Sequence, residues 1–97
     1  MHDSGLDADQ IRRFLIAEIA KLLGVDTVAV DPREPFSRYG LDSLSSIRLT
    51  AELERKIGRK LPITLIWDYP SIQSLSVHLA EELKASSDLI RRNTVLD

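Results

Sequence analysis

The chain has 97 residues, of which 43% are hydrophobic and 29% charged, and a formal net charge of −2. That length accommodates one small domain with a single modest core, and the near-neutral balance supplies no global basic field for nucleic acid. The absence of cysteine excludes disulfides, thiolate metal sites and a cysteine nucleophile. No apolar run approaches the length of a bilayer span and no signal pattern opens the chain, so a cytoplasmic protein without a membrane partner is the expectation.

In chain order, Leu6, Asp7, Gln10 and Ile11 fit a hydrophobic staple wrapped around an N-cap and its capping-box partner. Ile11, Leu15, Ile19 and Leu22 then recur at helical spacing, and Gly24 supplies the stop. A long connection follows, from about Val25 to Leu41. Val28 and Val30 alternate as in a short strand, whereas Pro32 and Pro35 argue against a sheet through the segment. A loop of this length needs anchors, and Val28, Val30, Phe36, Tyr39 and Leu41 are the candidates.

The next helix is expected from Ser43 to about Ile57. At about 100° per residue, Leu49, Leu53 and Ile57 gather on one side, while Leu44, Ile47 and Ala51 gather on the opposite side together with Arg48 and Arg55. The first side suits a core. The second suits contact with something outside the chain, because two apolar stripes exceed what a single core requires. Residues 45–60 carry five basic and two acidic side chains, so this helix and its exit are locally basic. Gly58 and Pro62 end it, Thr64 to Tyr69 allows one or two helical turns, and Pro70 stops those. Ser71 can cap a last helix that turns Ile72, Leu75, Leu79 and Leu83 inward and Glu81 and Glu82 outward. Residues 85–97 show only a weak helical pattern and read as a mobile tail or linker, and residues 1–6 as an N-terminal extension.

The most informative stretch is Gly40-Leu41-Asp42-Ser43-Leu44, which sets one serine where the second helix begins. A phosphate attached there would face unpaired N–H groups and the positive end of the helix dipole. The motif, the amphipathic Ser45-Ser46-Ile47-Arg48-Leu49 run and the later Leu65-Ile66-Trp67-Asp68-Tyr69-Pro70-Ser71-Ile72 together resemble the acyl carrier proteins, especially those of polyketide synthases, over roughly residues 7–84. The resemblance implies an all-α fold: a small antiparallel four-helix bundle with a short third helix and a long loop between the first two. It also implies that Ser43 receives 4′-phosphopantetheine, a covalent arm derived from coenzyme A whose thiol carries acyl or polyketide intermediates as thioesters. Asp42 and Leu44 stand beside it, with Asp42 helping to position the transferase or its metal. Leu44, Ile47, Arg48, Ala51 and Arg55 form the face that partners dock on. The implied partners are a phosphopantetheinyl transferase, an acyltransferase or acyl-adenylate ligase for loading, and a ketosynthase and other synthase enzymes. The protein would be a monomer and would catalyse nothing itself.

Other readings compete with this one. A serine at such a place is ordinarily a helix cap, and a purely helical interaction module would leave it unmodified. A peptidyl carrier is the nearest relative in kind, although Asp42 before the serine favours the acyl type. A hydrolase nucleophile fits poorly, since no glycine follows Ser43 at the second position and only His2 and His78 could serve as base. Trp67 reads as core or rim packing, or as a neighbour of the arm, and His78 as a helix-surface residue. The basic second helix departs from the acidic one expected of fatty-acid carriers, which points to partners with acidic or mixed surfaces. Met1 suggests a discrete protein, with a domain cut from a larger synthase and expressed from an added Met as the alternative.

Overall fold

Asp7 starts the first helix, α1 (Ala8–Leu23), by accepting from the Gln10 N–H at 2.8 Å, while Gln10 Oε1 accepts from the Asp7 N–H at 3.1 Å. The reciprocal cap satisfies two donors that the helix leaves open. The computed structural model describes residues 7–96, with side chains as far as Ala85, so the staple residue Leu6 lies outside the described residues. Gly24 ends α1 with a φ of 70°, a left-handed conformation that carries no Cβ penalty in glycine. Ile11, Leu15 and Ile19 enter the core as their spacing predicts. Leu22 does not: it stands in the last turn, 37% exposed, in a groove beside Arg48, and Ala20 is buried instead.

The long connection holds two 3-10 turns, Thr27–Ala29 and Phe36–Tyr39, where a strand was one reading of the Val28 and Val30 alternation. The difference matters for Val28. In a strand, residues two apart share a face, but a turn with three residues per revolution separates them. Val30 is accordingly 4% exposed and Val28 91% exposed, so Val30 anchors the loop and Val28 does not. Phe36 is buried and Leu41 half-buried, as expected of anchors. Tyr39 locks the loop by its hydroxyl, which donates to the Asp31 carbonyl at 2.5 Å and accepts from the Asp31 N–H at 2.8 Å.

Three further helices complete the bundle: α2 (Ser43–Ile57), the single turn α3 (Leu65–Asp68) and α4 (Ile72–Leu96). Ser71 caps α4, its hydroxyl accepting from the Ser74 N–H at 3.1 Å. The loop is sewn to this junction, since the Phe36 N–H donates to the Pro70 carbonyl at 2.7 Å and the Gln73 N–H to the Pro32 carbonyl at 2.9 Å. Leu49 and Leu53 of α2, Leu65 and Ile66 of α3, and Ile72, Leu75 and Leu79 of α4 meet Ile11, Leu15 and Ile19 in one core, with Ile57 and Leu83 packed at its margin. α4 outruns the sequence expectation by continuing to Leu96 in place of a tail from residue 85. No proline or glycine follows Pro70 to break its hydrogen-bond ladder.

Ser76 sits in the buried face of α4 at 1% exposure, and its hydroxyl has no partner among the described residues. A buried hydroxyl without a partner costs about 1–3 kcal/mol. Ser76→Ala is therefore expected to leave urea-unfolding stability unchanged or to raise it within that range, and a clear loss would reveal a partner for the hydroxyl. Burial, chiefly, raises the pKa of Tyr39 above its ordinary value. A raised folded value means that its contribution is complete below the unfolded value of about 10 and is lost as pH climbs through the folded value. Alkaline melting curves should show the wild type losing stability in that window and Tyr39→Phe lacking this component.

Candidate functional site

The start of α2 assigns different tasks to two adjacent residues. Asp42, in extended backbone at φ −90° and ψ −175°, is the N-cap, and its carboxylate accepts from the Ser45 N–H at 2.8 Å. Ser43 is the first helical residue, and its side chain is exposed and takes no part in the cap. The sequence left Ser43 at or beside the cap, and the structure assigns that work to Asp42. The first intrahelical bond runs from the Ser46 N–H to the Asp42 carbonyl at 2.9 Å, so the N–H groups of Ser43 and Leu44 precede the ladder and face outward with the positive end of the dipole. Gly40, at φ 68°, turns the chain into this position from the second 3-10 turn.

Hydrogen bonding from the Ser45 N–H, and after it the Ser45 hydroxyl, holds the Asp42 carboxyl below the usual carboxylate range. Asp42 is thus an anion at neutral pH, one residue from the exposed hydroxyl.

Around Ser43 the surface is apolar on two sides. Leu44 and Ile47 stand 64% and 52% exposed on the outer side of α2, with Ala51, Arg48 and Arg55 exposed beside them, which is the placement their spacing predicts. On the other side Ser46, one turn below Ser43, joins Phe36, Ser37, Leu41, Ile66, Trp67 and Pro70 around a recess of about 220 Å³. Trp67 is 68% exposed and forms part of its wall, so it is not a core residue. Leu41 both anchors the loop and lines the recess, a double role that the sequence did not reveal. The basic residues at the end of α2 are partly committed within the chain: Arg55 pairs with Glu52 at 3.6 Å, and Lys56 lies 5.7 Å from the centroid of the Phe14 ring. Glu54 turns back to accept from the Leu61 N–H at 2.7 Å, a tie that was not foreseen because it spans a glycine turn.

His78 stacks on Tyr69 with ring centroids 4.0 Å apart, and no histidine bonds to Ser43 among the described residues. Among those residues no group of three or more His, Cys, Asp or Glu is placed to hold a metal, and no helix is long and apolar enough to cross a membrane.

Ser43 is thus an exposed serine on a capped helix start, with Leu44 and Ile47 exposed on the same helix and Leu41 and Ser46 lining the recess. The phosphopantetheine attachment site family matches residues 13–79, and the chain belongs to that family, whose members take 4′-phosphopantetheine covalently. It is 32% identical over 90 residues to erythronolide synthase EryA2 of Saccharopolyspora erythraea, covering 88% of this chain and 2% of that protein. Among solved structures, it resembles a free-standing peptidyl carrier protein of Acinetobacter baumannii at a TM-score of 0.75 and 34% identity, over 79% of this chain and 96% of that one. It likewise resembles the acyl carrier protein LipD of Actinoplanes friuliensis at 0.69 and 37%, over 88% and 99%. Both carrier types share the four-helix fold found here. The sequence relatives are polyketide synthases, of which the chain spans a few per cent, 2% in the case of EryA2, and they favour the acyl type.

Because the folded pKa of Asp42 is lowered, its contribution is complete above the unfolded value of about 4 and is lost as pH falls through the folded value. Asparagine also caps helices, so Asp42→Asn should melt near the wild type at neutral pH while lacking this part of the acid destabilisation. Melting temperature followed from neutral to acid pH checks both halves.

Proposed function

We propose that the chain is an acyl carrier in which the Ser43 hydroxyl holds 4′-phosphopantetheine, with residues 7–84 as the carrier domain. The observation that carries this reading is that Ser43 is exposed at the first position of α2 and relieved of capping by Asp42. When bound, the arm supplies a thiol that holds acyl or polyketide intermediates for synthase enzymes. The residues of the chain suit the attachment. A transferase reaches the Ser43 oxygen without unwinding the helix, and the outward N–H groups of Ser43 and Leu44 favour the phosphodiester that results. The Asp42 carboxylate is mildly repulsive toward that diester, so its role beyond capping is in recognition of the transferase or its metal. Leu44, Ile47 and Ala51, flanked by Arg48 and Arg55, form the face presented to partners: the transferase, a loading acyltransferase or acyl-adenylate ligase, and a ketosynthase. The recess between Leu41, Ser46 and Trp67 receives the part of the arm nearest Ser43. The chain contributes no catalytic group of its own.

Intact mass after incubation with coenzyme A and a broad-specificity phosphopantetheinyl transferase tests the assignment. One phosphopantetheine should appear and map to Ser43. Ser43→Ala should gain nothing while keeping its stability within about 0.5 kcal/mol, as expected for an exposed position that makes no cap. Trp67 is the single tryptophan, so its emission should shift on loading of the wild type and stay constant for Ser43→Ala. An arm found on any other serine would overturn the role of Ser43.

A further inference from the structure

Along the outer side of α4 runs an open recess of about 530 Å³ that shares no residue with the one beside Ser43. Helical residues four apart form ridges on the surface. Gln73, Val77 and Glu81 make one such ridge and Ser74 and His78 the next, and all five line the recess, which is the furrow between them. Tyr69 builds up the second ridge by stacking on His78, with ring centroids 4.0 Å apart. Val77, 39% exposed, is the apolar member of the first.

The two ends of the furrow carry opposite charges. Arg33 lines it at the start of α4, because the bond from the Gln73 N–H to the Pro32 carbonyl at 2.9 Å sets the loop against that turn. Glu81 lines it eight residues after Gln73, which is about 12 Å along the axis at about 1.5 Å per residue. Both side chains are exposed and neither makes an ion pair among the described residues; Glu34, next to Arg33 in the chain, is turned to Arg38 at 3.4 Å. Val77 stands midway, four residues from Gln73 and four from Glu81.

A face with a base at one end, an acid at the other and an apolar residue halfway is its own complement. We propose that two copies of the chain associate through the outer faces of α4, laid antiparallel about a two-fold axis beside Val77. Such a contact requires that where one residue meets another, the second also meets the first. With the axis at Val77, Arg33 of each copy meets Glu81 of the other, so both charges are matched, and Val77 meets its own counterpart. Each ridge of Gln73, Val77 and Glu81 enters the furrow of the other copy, as ridges enter grooves wherever helices pack. An unrelated partner has to supply acid, apolar group and base in that order and at that spacing, whereas a second copy supplies them by symmetry. The contact is short, which makes the association a weak one, and the monomer expected from the sequence is its dilute form. Ser43 does not line the furrow, so the pairing does not rest on the carrier role.

Sedimentation equilibrium of the full chain tests the pairing. The wild type should dimerise reversibly with a Kd of about 10 µM to 1 mM, and more weakly as salt is added. Arg33→Glu and Glu81→Arg should each raise Kd about tenfold or more, because each sets like charges opposite one another at both ends of the contact. Mixed in equal amounts, the two variants should pair with each other about as tightly as the wild type pairs with itself, and the chain carrying both substitutions should again self-associate. All three substituted chains should melt near the wild type, since both positions are exposed. A wild type still monomeric at about 1 mM overturns the association, and single variants that fail to pair when mixed overturn the two-fold arrangement. Mass analysis keeps these results apart from the carrier role, which fails only if the wild type gains no arm on Ser43.

Discussion

The position of Ser43 rests on two backbone hydrogen bonds made elsewhere in the chain. Phe36 donates to the Pro70 carbonyl and Gln73 to the Pro32 carbonyl, so the middle of the long loop is held against the junction between α3 and α4. Closing a loop of this length has an entropic cost that grows only slowly with its length, and a few well-placed bonds with one buried aromatic offset it. Phe36 is that aromatic. From this fixed point the second 3-10 turn runs to Gly40 and sets the direction in which α2 begins. Were the loop not tied down, the helix start would have no defined orientation relative to the recess beside Trp67.

The same ties explain what could be read from the sequence and what could not. Elements governed by local rules were legible: the Asp7 and Gln10 cap, the Gly24 and Gly58 stops, the span from Ser43 to Ile57 and the inward faces of α2 and α4 all follow from periodicity and capping chemistry. The motif around Ser43 was legible because turn residues and a helix start must lie next to each other in sequence. What failed depended on contacts between segments. Val28 fits a loop anchor until the chain is seen to make a 3-10 turn that leaves it exposed, and Leu22 fits the core until the last turn of α1 proves to be exposed. The helical course beyond Lys84 was missed because absence of breakers permits a helix without demanding one. The recess beside Ser43 joins residues from the loop, α2 and α3, and no spacing rule brings those together.

The surface of α2 shows how a local charge excess is divided between folding and recognition. Of its two carboxylates, Glu54 is drawn back to the Leu61 N–H and Glu52 is matched by Arg55. Lys56 covers the face of Phe14, a contact of about 0.5–1 kcal/mol at an exposed site. These side chains steady the joint between α1, α2 and the α3 approach. Arg48 is left out of that arrangement, midway along the helix and between apolar neighbours, where a charge has most influence on which surface can approach.

The separation of Asp42 from Ser43 has a consequence for damage and loss. Because the cap belongs to the preceding residue, a substitution at position 43 leaves the helix start intact and gives the cell's quality control no unfolded chain to remove. In the proposed role such a copy is folded, empty and still able to occupy the enzymes that serve its intact counterparts. Loss of one hydroxyl would therefore act as a decoy, drawing partners into unproductive encounters in proportion to its abundance.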